Sequence, residues 1–151
     1  MTTAIQNRPW YPEYRQYRRK GWRAAEAMRH ARTLRKFRHA SFLNLVALEP
    51  EPDSDWAFAI ECGCEDREKC EADNRERADR TGVWGIVAYA ALDPYNPCDC
   101  YSAPKCEHFE SVESIWGFIG DDWKDSGYDD DLMRAALNAV AANTRRQFYT
   151  I

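Results

Sequence analysis

Between residues 23 and 39, apolar side chains recur at three- and four-residue steps: Ala24, Ala27, Met28, Ala31, Leu34 and Phe37. That is the period of a helix with one buried stripe, and the spacing predicts a helix over 23–39. Arg29, Arg32, Arg35, Lys36 and Arg38 crowd its other sides. His30 and His39 read as polar-face residues, since no Asp, Cys or second His stands at helical spacing from them. Residues 42–48 and 55–62 read as two strands, joined by a Pro- and acid-rich loop over 49–55. In the second, Trp56, Phe58, Ile60 and Cys62 alternate. Residues 83–92 are apolar on both faces and predict a central strand. Another strand is expected over 107–119, with Phe109, Ile115 and Ile119 on one face and Val112, Trp116 and Phe118 on the other. Leu132, Met133, Ala136, Leu137 and Val140 predict a closing amphipathic helix over 129–146.

Two stretches break this pattern. Residues 65–80 have no apolar stripe, but four acids each precede a base by four residues: Glu65–Lys69, Glu71–Arg75, Asp73–Arg77 and Glu76–Arg80. Such pairs hold an exposed helix together at about 0.2–0.5 kcal/mol each and cannot dock it. Residues 8–22 contain Pro9 and Pro12, which argue against an early helix and for an arm. The expected architecture is α+β: residues 1–22 a basic aromatic arm, and 23–151 a single domain. That domain has a mostly antiparallel sheet of about four strands, with N- and C-terminal helices packed on it. A polar helix is inserted between strands two and three.

Composition sharpens the picture in two places. No apolar run reaches the roughly 18 residues of a membrane span, and the first residues lack the apolar core of a secretory signal. A cytoplasmic setting is therefore expected, where thiols stay reduced. Charge is divided: residues 1–40 carry eleven Lys/Arg against Glu13 and Glu26, whereas the remainder is strongly acidic. Such asymmetry bears on partners.

The six cysteines fall into two copies of one spacing. Cys62, Cys64 and Cys70 form C-x-C-x5-C, and Cys98, Cys100 and Cys106 repeat it 36 residues later. His108 extends the second copy. Zinc takes four thiolate or imidazole ligands. Three ligand sets are open: the two C-x-C clips together, Cys98/Cys100/Cys106/His108 alone, or a two-zinc cluster of all six thiolates. Free thiols and disulfides are the competing states. In the metal reading the two distant segments meet and fasten the polar helix through Cys70.

Function divides into two classes. Trp116, Asp121, Asp122, Trp123, Asp125, Asp129 and Asp130 offer an acidic, aromatic-studded face resembling nucleic acid. This points to a non-catalytic inhibitor or accessory factor of the mobile-element (phage or plasmid) type, anti-defence in role. Its partner would be a protein complex that handles nucleic acid. Alternatively, Arg15, Tyr17, Arg18, Arg19, Lys20, Trp22 and Arg23 interleave rings and cations as nucleic acid requires, and predict a zinc-stabilised nucleic-acid binder. An enzyme is not expected: P-loop, dinucleotide, zinc-protease and triad patterns are all missing from the sequence.

Overall fold

A computed structural model describes residues 6–54 and 57–149. Helix α1 spans Tyr11–Arg19 and α2 Ala24–Phe42. Strand β1 covers Val46–Pro52, a short 3-10 turn Phe58–Ile60, and α3 Arg67–Thr81. Strands β2 (Val83–Ala91) and β3 (Phe109–Ile119) follow, then a 3-10 turn over Asp122–Asp125 and α4 over Tyr128–Tyr149. The strands form one antiparallel sheet in the order β1-β2-β3. The class is α+β, but the sheet has three strands where about four were expected.

The missing strand is the one predicted over 55–62. Its first two residues lie outside the described ones, and Phe58–Ile60 coils into a single 3-10 turn. Among its described residues only Ile60 is buried, against Ala78, Val83 and Ile119. Phe58 lies across Gly117, where an added Cβ would come within 2.4 Å of its ring. The open edge of β1 also resists a fourth strand. Asp53 N donates to Val83 O and Ala91 N to Leu45 O, so odd-numbered β1 residues carry the ladder. Pro50 and Pro52 therefore turn their donor-free nitrogens outward, as prolines in edge strands do. The predicted loop over 49–55 is thus partly strand, because these prolines remove no ladder bond.

Helix boundaries shift for related reasons. Pro12 sits in the first turn of α1, where its missing N–H costs nothing, so residues 11–19 are helical despite the two prolines. Phe42, read as the start of a strand, is the last residue of α2. On α3 none of the four expected i,i+4 pairs is an ion pair among the described residues. Arg67 reaches Glu71 at 2.7 Å, and Arg77 reaches across to Asp122. This helix is also less adrift than its sequence suggests, since Ala78 is only 2% exposed within the cluster around Val83 and Ile119.

The main core lies on one face of the sheet. Val46, Ile86 and Ala88 meet Ala40 of α2 and Leu132 and Ala136 of α4. Ile115 and Phe118 both pack onto this cluster, although alternation assigned them to opposite faces. A register shift between Trp84 and Ile86 explains it: Trp116 and Gly117 of β3 oppose Gly85 of β2 alone, and Gly117 at φ +91° absorbs the bulge. On the other face Trp116 lies flat on Gly85, where any Cβ would stand 2.1 Å from the indole. No described helix is long and apolar enough to cross a membrane.

Candidate metal centres and charged surfaces

The β2–β3 connection builds the first centre. After Ala91 the chain turns at Asp93, whose carboxylate accepts the Tyr95 N–H at 3.1 Å. Tight turns then follow, with Ala103 N donating to Cys100 O and Lys105 N to Ser102 O. Leu92 N donates to His108 O, closing the loop at the point where β3 begins. The result gathers four ligand atoms. Cys98 Sγ lies 3.6 Å from Cys106 Sγ and 3.4 Å from His108 Nδ1. Cys100 Sγ lies 3.5 Å from the same nitrogen. A tetrahedral zinc ion holds sulfur at about 2.3 Å and nitrogen at about 2.0 Å, so its edges are about 3.8 Å (S–S) and about 3.5 Å (S–N). The observed separations fall close to those edges, and the four groups can hold a metal ion.

The electrostatics suit a ligand set. Cys100 N donates to Cys98 Sγ at 3.2 Å. Hydrogen bonds from the Cys100 thiol, then from its N–H, pull the Cys98 thiol below its ordinary range. The bond to Cys98 pushes Cys100 up to about 11, with desolvation adding to it. A cation would replace the proton these thiols share.

The second centre stands elsewhere. The 3-10 turn ending at Ile60 delivers Cys62 and Cys64 beside Cys70 in the first turn of α3. Cys62 and Cys70 form a disulfide pair, and Cys64 Sγ lies 2.7 Å from Cys62 Sγ. All three sulfurs lie within 4.8 Å of one another, and with the disulfide reduced they too can hold a metal ion. Glu71 Oε1 accepts from Cys62 N at 3.4 Å but is held by Arg67 Nε at 2.7 Å.

The two cysteine segments therefore do not meet. Each C-x-C-x5-C copy closes its own group. One forms beside the Val83–Ile119 end of the β2–β3 ladder and the other at its Ala91–Phe109 end. Eight residue steps along β2 lead from Val83 to Ala91, about 26 Å. The set combining Cys62, Cys64, Cys98 and Cys100, and the six-thiolate cluster, are both corrected by this placement.

Part of the acidic face is paired with neighbouring side chains. Asp122 pairs with Arg77 at 2.7 Å, Asp121 with Lys124 at 3.3 Å, and Asp130 with His30 Nδ1 at 2.6 Å. Burial, then the neighbouring Asp130 charge, raises the Asp129 carboxyl above its ordinary range. Trp123 packs onto the main core with Lys124 over its ring, while Trp116 is 40% exposed on the opposite sheet face. Asp125 is exposed.

The basic stretch is helical and only partly as expected. Tyr17 and Trp22 pack on each other at 5.0 Å, and Trp22 stands edge-on to His30 at 4.4 Å. These rings hold α1, α2 and the His30–Asp130 contact together, so they offer no free stacking platform. Arg18 donates to Trp22 O, and Arg38 pairs with the buried Glu13 at 2.9 Å. The other cations differ. Among the described residues, no carboxylate stands within ion-pair reach of Arg15, Arg19, Lys20, Arg23, Arg29, Arg35 or Lys36. All seven side chains are exposed. Sequence reasoning missed Phe42, 83% exposed at the end of α2, because the helix runs three residues past its predicted limit.

Comparison with protein-family models, curated proteins and solved structures finds no match for this chain.

Proposed function

We propose that this chain is a non-catalytic nucleic-acid-binding protein that meets its ligand with the α1–α2 hairpin and is stabilised by zinc at Cys98, Cys100, Cys106 and His108. The observation that carries the reading is the contrast in pairing. Seven cations on the hairpin lack a carboxylate partner among the described residues, whereas Asp121 and Asp122 already pair with Lys124 and Arg77, and Asp130 lies 2.6 Å from His30 Nδ1. Unpaired exposed guanidinium groups release counterions when they meet phosphates, and that release drives binding. A carboxylate already held by a base is a poor imitation of a phosphate. The acidic-face inhibitor therefore ranks second.

Arg29 and Lys36 lie seven residues apart on α2, a rise of about 10 Å, so one face of the helix can follow a phosphate ridge. Phe42, at the end of the same helix, supplies an exposed ring for a base. Zinc supports the reading indirectly, by fixing the β2–β3 connection without adding chemistry. Fluorescence anisotropy with labelled single- and double-stranded oligonucleotides at low salt tests it. Saturable binding that weakens steeply with salt supports the proposal. No binding to any oligonucleotide at about 50 mM salt overturns it.

A further inference from the structure

The two cysteine centres are chemically unequal. Three sulfurs and an imidazole complete the first. At the second, no His, Asp or Glu joins Cys62, Cys64 and Cys70 within 4.8 Å among the described residues. The Glu71 carboxylate, which accepts from Cys62 N, is held by Arg67. We propose that Cys62, Cys64 and Cys70 form a metal site with three thiolates and one open position, which takes an exchangeable ligand from outside the chain.

Convergence of three sulfurs is the argument. A disulfide satisfies two of them, yet Cys64 Sγ also lies 2.7 Å from Cys62 Sγ, and one sulfur forms only one such bond. A metal ion uses all three. The site opens by thiol–disulfide exchange. Two equivalents of a small thiol give their hydrogens to Cys62 and Cys70 and leave joined as their own disulfide. Binding of a divalent thiophilic ion then displaces the three thiol protons. Three protein ligands plus one external ligand is the arrangement zinc adopts where it meets other molecules, and four protein ligands the one it adopts where it only holds a fold. Cys64 is exposed, so the open position is reachable from solvent.

The test uses the whole reduced chain, Zn(II) and Co(II) as metal probes, and imidazole as the external ligand. Wild type binds two metal ions by native mass spectrometry. Cys98→Ser/His108→Ala retains one, and adding Cys64→Ser removes it. In that double variant, imidazole shifts the Co(II) absorption bands. In Cys64→Ser alone, which keeps the first centre, it does not. A double variant that is folded by circular dichroism but binds no metal overturns the proposal, as does a Co(II) spectrum indifferent to imidazole. If the double variant does not fold, Cys64→Ser decides: one bound ion supports the site, and two overturn it. Oligonucleotide binding plays no part in these readouts, so the outcome is separate from that of the proposed function.

Discussion

Asp122 Oδ1 lies 2.7 Å from Arg77 Nη2, joining the turn before α4 to α3 across 45 residues of sequence. The contact spends a carboxylate that the sequence offers as part of a phosphate-like face. Both side chains are about half exposed, which limits its worth to about 0–1 kcal/mol. A double-mutant cycle of Asp122→Ala and Arg77→Ala, read by urea denaturation, is expected to give a coupling inside that range. Oligonucleotide affinity is expected to stay within twofold of wild type in Asp122→Ala.

Asn143 is the buried polar tie of the fold. Its Nδ2 donates to Ala91 O at 3.0 Å and to Glu110 Oε1 at 2.9 Å, fixing α4 to the ends of β2 and β3. Asn143→Ala leaves a buried carbonyl without this donor, at a cost of about 1–3 kcal/mol. For a chain of this length that lowers Tm by roughly 2–4 °C per kcal/mol, measurable by calorimetry.

Metal removal provides the third prediction. Cys98, Cys100, Cys106 and His108 bring four ligand atoms together within the β2–β3 connection. A chelator, or His108→Ala, is expected to raise hydrogen exchange across residues 92–108 while β1 and β2 stay protected. Uniform protection with and without chelator would show that no ion supports this loop.

Acid stability follows from two carboxyls with opposite signs. The Tyr89 hydroxyl at 2.6 Å, and after it Lys105, holds Glu51 below its ordinary range. Its stabilising contribution is complete above the unfolded value of about 4.3 and is lost as pH falls through the folded value. Asp129 is shifted upward, first by burial, so it costs stability as pH rises from about 3.9 through its raised value. Glu51→Gln should flatten the acid limb of a stability–pH curve, and Asp129→Asn should raise stability at neutral pH.

Long periodic segments were legible in the sequence. The stripe of α2, the two-sided apolar run of β2 and the amphipathic α4 all stand within a few residues of expectation. The set Cys98, Cys100, Cys106 and His108 was legible too, since its spacing alone supplies four ligands. What failed depended on partners distant in sequence. Alternation from Trp56 to Cys62 promised a strand, but Phe58–Ile60 coils into a 3-10 turn, and the prolines of β1 leave its edge short of donors. The faces of β3 were misassigned because two register shifts in the β2–β3 ladder each invert alternation beyond them. The rings of Tyr17 and Trp22 resembled a stacking platform, whereas His30 and Asp130, a hundred residues apart, claim that surface. The His30–Asp130 pair had no local signal, because it forms only when α2 and α4 pack together.

The most direct measurement compares the salt dependence of oligonucleotide binding by wild type and by Arg29→Ala/Lys36→Ala. Each phosphate contact contributes about 0.9 to the slope of log K against log salt on duplex, and about 0.7 on single strands. The account predicts a steep wild-type slope that the double variant reduces by about 1.4–1.8, with metal content and melting temperature unchanged. Equal slopes for the two proteins would contradict it.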